Sequence, residues 1–178
     1  MAQYDGYRLV DHSTYSEWRT ATIGNGYNVD YAYGNQCWDY CALLYFQYGL
    51  PLITRPGGNG NASDCWTISR EINSRGPFIS VEGATNIKRG DILVWSGGTG
   101  HMAFADEDYN GTNSIRCVGQ NQGQGTSGPV NSTVLTLNNF LGIFRNQDWQ
   151  EPTPPPEESK KKKFPWPIAW SHWDNFKN

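Results

Sequence analysis

The chain has 178 residues, a formal net charge of −3 and a sequence pI near 5.5. This length allows one domain of the commonest size followed by a tail. A slightly acidic chain has no overall field that attracts it to nucleic acid or to an anionic membrane surface, so we expect neither partner.

The cysteine spacing and the first residues argue against a zinc site, a disulfide framework and a signal peptide. The four cysteines are Cys37, Cys41, Cys65 and Cys117, and none forms a paired CxxC spacing, so we expect no zinc site. A domain of this size does not need a disulfide framework in place of a core. Residues 1–7 lack the basic region and apolar run of a signal peptide, and no run reaches membrane-spanning length. We therefore expect synthesis without a signal peptide.

The first 27 residues are polar and aromatic and predict one short helix. Ser13 is the expected N-cap, with Glu17 nearby, and Gly24 and Gly26 are expected to end the helix. His12 has neither a glycine loop before it nor a strand after it, so we expect no direct role for it in chemistry.

The central prediction is a helix that begins at Cys37 and ends at Gly49 and Pro51. Apolar side chains recur at the helical spacing of one buried face, at Trp38, Cys41, Ala42 and Tyr45. A thiol in the first turn lies near unpaired backbone N–H groups and the positive end of the helix dipole, which favour the thiolate. Cys37 is therefore the candidate nucleophile.

After a loop at 54–62, a second helix is predicted over 63–73. Ser63 is its expected N-cap, and Cys65, Ile68 and Ile72 form its apolar face. We interpret Cys65 as a packed, unreactive thiol, and the same interpretation applies to Cys41 and Cys117.

The rest of the domain is predicted to be strands joined by short turns, which favours an antiparallel sheet. Turn signals lie at 88–90, 97–100 and 110–111. Helices first and a sheet after them indicate an α+β domain. The predicted strands are Phe78–Val81, Asp91–Trp95, Met102–Ala105, Ile115–Val118 and Ile143–Arg145.

A candidate base and a candidate orienting residue lie at the ends of two of these strands. His101 follows the glycine loop and opens a strand, and Asn121 follows another strand. A cysteine, a histidine and a polar orienting residue, in this chain order, are the parts of a papain-type acyl-transfer site.

Four sequence blocks in this order resemble the CHAP domain, the cysteine, histidine-dependent amidohydrolase/peptidase family. The blocks are Gln36-Cys37-Trp38-Asp39, Arg89-Gly90-Asp91-Ile92-Leu93-Val94-Trp95, Gly100-His101-Met102-Ala103 and Gly119-Gln120-Asn121. The closing Phe140-Leu141-Gly142-Ile143-Phe144-Arg145 is similar to the last strand of that family. The resemblance covers roughly residues 20–149 and implies a papain-like α+β fold.

A domain map follows from the resemblance and from composition. Residues 1–149 form the CHAP domain, the Pro-rich and Lys-rich 150–163 a linker, and 164–178 an aromatic tail. The tail has three interpretations: it docks on the domain, stacks on sugars or belongs to a longer chain. His172 in this tail is not expected to be a ligand.

The resemblance also implies roles for individual residues. Cys37 would be the nucleophile and His101 the base, while Asn121 would orient the His101 ring. The Cys37 backbone N–H and the Gln36 side chain would hold the oxyanion. Many CHAP domains carry Glu at the position of Gly119, so this chain departs from the pattern there.

The implied function is hydrolysis of amide bonds in the peptide part of bacterial peptidoglycan, with an endopeptidase preferred. The alternatives are an N-acetylmuramoyl-L-alanine amidase and, from another class, a non-catalytic wall-binding module. A protein without a signal peptide would reach the wall through a holin or on a virion. The oligomeric state stays open.

A calcium site is the last expectation. Asn28, Asp30, Ala32, Gly34 and Asp39 have the spacing of positions 1, 3, 5, 7 and 12 of an EF-hand loop, and some phage CHAP domains bind calcium at this place. The alternative is that Asp30 and Asp39 only cap or solvate a turn. The chemistry itself is expected to need no cofactor.

Overall fold

The computed structural model describes residue 10 and residues 13–57, 60–123 and 127–149. The predicted linker and tail, His12 and His172 lie outside these residues. The helices are α1 (Tyr15–Thr22), α2 (Cys37–Gln47), α3 (Asp64–Thr67) and α4 (Arg70–Asn73). The strands are β1 (Phe78–Val81), β2 (Ile92–Trp95), β3 (His101–Ala105), β4 (Ser114–Gly119), β5 (Asn131–Thr136) and β6 (Phe140–Asn146).

All six strands form one antiparallel sheet in the order β1-β6-β2-β3-β4-β5. The α+β prediction and the five predicted strands are confirmed. The strand that the sequence did not predict is β5, where half-buried and exposed residues alternate and no apolar run marks the strand. It is a strand because it pairs along all of β4.

Helix α2 packs against the sheet at β3. The alternation of β3 points Met102 and Phe104 into the cluster that contains the α2 side chains, and Ala103 and Ala105 into a second cluster on the other face. Because β3 is buried on both faces, it is held firmly in the interior of the sheet. The start of α2 and the start of β3 are therefore held against each other.

Two predicted helix starts are wrong in detail. The N-cap of α1 is Thr14, not Ser13, and its hydroxyl and the Glu17 carboxylate form a reciprocal capping box. Ser63 has helical dihedrals and makes no side-chain cap bond.

The predicted helix over 63–73 is interrupted. The Ser69 hydroxyl donates to the carbonyl of Thr54 at 2.9 Å, and the buried Asn73 amide donates to the carbonyl of Ile53 at 2.8 Å. These bonds to an adjacent loop break the segment into α3 and α4. As a result Ile68 and Ile72, predicted to be buried, are 47% and 40% exposed.

The longest helix, α2, has 11 residues, and in the described part of the chain no helix could cross a bilayer. The last described residue, Trp149, packs its ring 5.5 Å from Tyr15 and 5.8 Å from Phe104.

Candidate active site

Cys37 is the first residue of α2, as predicted, and Asp39 fixes the chain that leads into it. One oxygen of the buried Asp39 carboxylate accepts the N–H of Gln36 and the other accepts the N–H of Val29, both at 2.8 Å. The extended backbone of Gln36 (φ −96°, ψ 159°) then turns into the helix. This capping places the sulfur at the helix tip.

The Cys37 thiol borders a cleft of about 670 Å³, a size typical of ligand sites. The side chain itself is 8% exposed. Four chain segments line the cleft, within 30–39, 52–55, 60–62 and 99–100. The last of these is the glycine loop before His101, so the loop and the thiol face the same opening.

Burial opposes the thiolate that the helix tip favours at Cys37. Burial raises the pKa of Cys37, while hydrogen bonds from the backbone N–H groups of Met102, Trp38 and Cys37 itself lower it to a smaller extent. Burial is the larger effect because the first turn of α2 is covered on most sides. Burial thus favours the protonated thiol, and a thiol in this form needs a base to react.

His101 opens β3 and pairs in register with Trp95 of β2, with ring centroids 5.9 Å apart. Burial lowers the pKa of His101, and a contact with Gln122 opposes this. The backbone N–H of the next residue, Met102, donates to the Cys37 sulfur. The structure thus brings the thiol and the histidine-bearing strand end together.

Gly100 lets the loop before His101 pack closely against Ser63. Its φ is 78°, and a Cβ there would lie 2.5 Å from the backbone nitrogen of Ser63 and 2.9 Å from the carbonyl oxygen of Trp95. A side chain would push the loop before β3 away from the cleft wall.

The predicted contact between Asn121 and His101 is wrong. With a φ of 55° at Asn121 the chain turns sharply, and its Nδ2 donates to Oε1 of Gln36 at 3.0 Å while its Oδ1 accepts the N–H of Ser127 at 3.1 Å. The amide at the histidine belongs to the next residue: Oε1 of Gln122 lies 3.1 Å from Nε2 of His101.

Gln36, the predicted oxyanion ligand, has its side chain fixed at both ends. Oε1 accepts from Asn121, and Nε2 donates to the carbonyl of Tyr33 at 2.6 Å. An amide nitrogen carries two hydrogens, and among the described residues only the Tyr33 carbonyl accepts one from Gln36.

Sequence reasoning also missed Gln120. Its fully buried amide accepts the N–H of Tyr27 at 2.8 Å and donates to the carbonyls of Tyr27 and Gln36 at 2.7 Å. It ties the end of β4 to the chain that enters α2. The detectable signal is three amide residues in succession after a strand, 120–122.

The predicted calcium loop, 28–39, has some features of such a site. Tyr33, at its sixth position, has a φ of 60°, the conformation for which EF-hand loops use glycine. Burial raises the pKa of Asp39 to about 6, and the charge of Asp30 adds to the rise. The other predicted ligands offer a side-chain amide or backbone carbonyls: Asn28, Ala32 and Gly34. Across the described ranges, no three His, Cys, Asp or Glu side chains group as a metal site.

A family model matches the part of the chain that carries this site. The family model of the CHAP domain matches residues 26–121, more than half of the 178 residues. The chain belongs to the CHAP domain family. The matched range of this CHAP domain includes Cys37, His101 and Asn121, and Gln122 follows directly after it.

The CHAP domain is 33% identical over 128 residues to the D-alanyl-L-alanine endopeptidase of Streptococcus phage B30. That alignment covers 67% of this chain and 27% of the phage protein, so the chain spans about a quarter of the length of this curated relative.

Two solved structures share the fold. The wild type endolysin LysIME-EF1 matches with a TM-score of 0.59 and 21% identity, over 75% of this chain and 64% of that one. Ly7917 matches with a TM-score of 0.52 and 13% identity, over 79% and 63%. At these identities the two structures establish the papain-like α+β fold alone.

Proposed function

We propose that this CHAP domain hydrolyses amide bonds in the peptide part of bacterial peptidoglycan, with Cys37 as nucleophile and His101 as general base. The observation that carries the proposal is the cleft that the Cys37 thiol borders, with the backbone N–H next to His101 bonded to the sulfur. A thiol, a histidine at the same end of the sheet and an open cleft are what acyl transfer requires.

The reaction begins with a protonated thiol and a neutral imidazole, because burial raises the pKa of Cys37 and lowers that of His101. His101 takes the thiol proton as the sulfur attacks the carbonyl carbon of the substrate amide. The Met102 N–H, bonded to the sulfur, stabilises the developing thiolate.

The attack places negative charge on the carbonyl oxygen of the tetrahedral intermediate. The backbone N–H of Cys37 and the remaining N–H of Gln36 are the donors for this oxyanion. A well-placed donor of this kind contributes roughly 3 kcal/mol to the stability of the transition state. Gln36 can supply it without reorganisation because its other amide atoms are already bonded.

The intermediate collapses when the C–N bond breaks and the imidazolium of His101 gives its proton to the leaving amine. The acyl group then remains on Cys37 as a thioester. A water molecule, deprotonated by His101, attacks this thioester and releases the carboxylate product and the free thiol.

Endopeptidase activity is the preferred form of this function. The support is the relative from Streptococcus phage B30, which is named a D-alanyl-L-alanine endopeptidase. The site of action is then the bacterial cell wall, and peptidoglycan is the partner.

We also propose that the loop 28–39 binds Ca²⁺ weakly. Asp30 and Asp39 would supply carboxylate oxygens and the backbone carbonyls the rest, a ligand type that Ca²⁺ prefers. Bound calcium would hold the chain that enters α2 and would supply no chemical step.

The test is hydrolysis of purified Gram-positive walls, followed by turbidity and by released amino groups. Cys37→Ser and His101→Ala are expected to lose activity by at least about 100-fold, because each removes a reacting group. Cys117→Ala is the matched control, since this buried thiol belongs to the cluster on the other face of the sheet. Undiminished hydrolysis by Cys37→Ser would refute the mechanism.

Mass spectrometry of the released fragments shows which amide bond is cleaved. An endopeptidase leaves new amino termini within the peptides, whereas an amidase frees whole peptides from muramic acid. Wall binding without any released amino groups would instead indicate a non-catalytic wall-binding module.

A further inference from the structure

The Gln122 side chain is fixed in one orientation. It is 4% exposed, and its Nε2 donates to the backbone oxygen of Asn131 at 3.0 Å, with Oδ1 of Asn131 at 3.4 Å. Nδ2 of Asn131 donates back to the carbonyl of Gln122 at 3.0 Å. Because the amino end of the Gln122 amide faces two acceptors, its carbonyl end must face His101.

This orientation determines the protonation of the His101 ring. Oε1 of Gln122 lies 3.1 Å from Nε2 of His101 and can only accept a hydrogen bond. Nε2 must therefore carry the hydrogen. In the neutral ring Nδ1 is then the unprotonated nitrogen, which is the atom able to take a proton from a thiol.

Gly119 provides the space that Gln122 occupies. A Cβ at Gly119 would lie 2.6 Å from Oε1 and 3.0 Å from Cδ of Gln122, and 2.9 Å from Cβ of Ala103. A side chain at position 119 and the Gln122 amide in its present place exclude each other. Many CHAP domains carry Glu at this position. In this chain the position is Gly119, and the Gln122 amide contacts the histidine.

We propose that Gln122 is the positioning residue for His101, which it holds as the Nε2–H tautomer, and that Gly119 and Asn131 keep Gln122 in place for this role. The effect of this positioning on catalysis rests on the proposed function. The tautomer itself is a property of the folded chain and is measurable without any substrate.

A neutral amide in this position has a specific electrostatic effect. The Trp95 ring from β2 and the Gln122 amide from the segment after β4 contact His101, and neither group titrates. The Cys37 thiol, which does titrate, accepts the N–H of the next residue, Met102. The Gln122 bond raises the pKa of His101, but by less than burial lowers it. A carboxylate in place of this amide would favour the imidazolium more strongly.

The first test is ¹⁵N NMR of the imidazole of His101 across a pH titration. The wild-type ring is expected as the Nε2–H tautomer with a pKa below its ordinary value. Gln122→Leu and Gly119→Ala should lose this tautomer preference, because each removes the acceptor from Nε2. Gln122→Glu should keep the tautomer and raise the pKa of His101.

Two variants serve as controls in the same spectra. Asn121→Ala keeps the bond to Gln122, and Gln147→Leu changes an exposed amide elsewhere, so both should leave the His101 tautomer unchanged. A wild-type ring in the Nδ1–H form would overturn the proposal. So would a tautomer that changes in Asn121→Ala and not in Gln122→Leu.

The second test is wall hydrolysis by the same variants. Gln122→Leu should lower kcat by about 100-fold with KM nearly unchanged, since base catalysis is lost while the cleft is intact. Gln122→Glu should recover much of kcat with an acid limb at higher pH. Unchanged kcat in Gln122→Leu would refute the catalytic role. A wild-type protein inactive on walls would refute the proposed function, while the spectra would still decide the tautomer of His101.

Discussion

Asn121 and Gln36 are joined by a hydrogen bond of 3.0 Å between residues 85 positions apart. This bond connects the turn after β4 to the N-cap of α2. Among the described residues, it is the hydrogen bond by which the Asn121 side chain contacts the lining of the cleft. Asn121 therefore acts on the site through Gln36, while Gln122 contacts the histidine.

The first prediction concerns this pair. Gln36→Ala should lower kcat by about 100-fold, because it removes an oxyanion donor. Asn121→Ala should lower kcat by about 10-fold, because the Gln36 amide loses one of its two anchors. The measurement is initial rate of wall hydrolysis against substrate concentration.

A double variant decides whether the two residues act together. If Asn121 works only through Gln36, the double variant should be no slower than Gln36→Ala, and a double-mutant cycle should show strong coupling. Fully additive losses would contradict this arrangement.

The second prediction concerns two glycines of the loop before His101. Gly100 and Gly98 both have positive φ, 78° and 54°, but a Cβ at Gly98 meets nothing within 4 Å whereas one at Gly100 would meet the Ser63 backbone. Both Ala substitutions carry the left-handed strain of roughly 1 kcal/mol. Gly100→Ala should lose a further 1–3 kcal/mol or so through overpacking.

Thermal unfolding measures this difference. Gly100→Ala should melt several degrees below Gly98→Ala, because a loss of about 1 kcal/mol lowers Tm by roughly 2–4 °C in domains of about 150 residues. Equal melting temperatures would show that the contact with Ser63 does not limit the loop.

The third prediction concerns the thiols. Cys41, Cys65 and Cys117 are 0% exposed, and burial raises the pKa of each. Cys37 borders the cleft. Native alkylation with iodoacetamide, followed by peptide mapping, should therefore modify Cys37 alone, and the unfolded chain should take four labels, one for each free cysteine.

The pH dependence of this labelling follows from the thiol pKa. Since burial raises the pKa of Cys37, the labelling rate at pH 7 should be lower than that of an exposed cysteine and should increase as pH rises. Fast labelling that is independent of pH near neutrality would indicate a resting thiolate instead.

The fourth prediction links calcium to the protonation of Asp39. Its pKa is about 6 in the folded chain, against about 3.9 in an unfolded one. Neutral Asp39 therefore favours folding below about pH 4, and this contribution is lost as pH rises through 6. Calcium binds the ionised form, so millimolar Ca²⁺ should raise Tm at pH 7.5 and have little effect at pH 5.

Asp30→Asn should remove the calcium effect on Tm, and it should also lower the pKa of Asp39 because it removes a neighbouring negative charge. Asp148→Asn, at an exposed position outside the loop, is the matched control. A Tm without calcium dependence at either pH would refute the proposed site.

Sequence patterns within a short segment were sufficient to predict those helices and strands in which the pattern is strong. The helix from Cys37 has apolar spacing and a clear end at Gly49, and His101 follows a glycine loop, so both were predictable in place and type. The helix over 63–73 also had a local pattern, but hydrogen bonds from Ser69 and Asn73 to a neighbouring loop interrupt it. β5 had no such pattern and depends on its pairing with β4.

The sequence by itself determined that a thiol begins a helix, that a histidine begins a strand and that antiparallel strands follow, because these features depend on residues close together in the chain. Only the tertiary structure decided that Gln122, and not Asn121, reaches His101, and that burial raises the pKa of Cys37. Side-chain direction after a turn with a φ of 55° and the exclusion of water from the site depend on segments distant in sequence, which spacing along the chain does not encode.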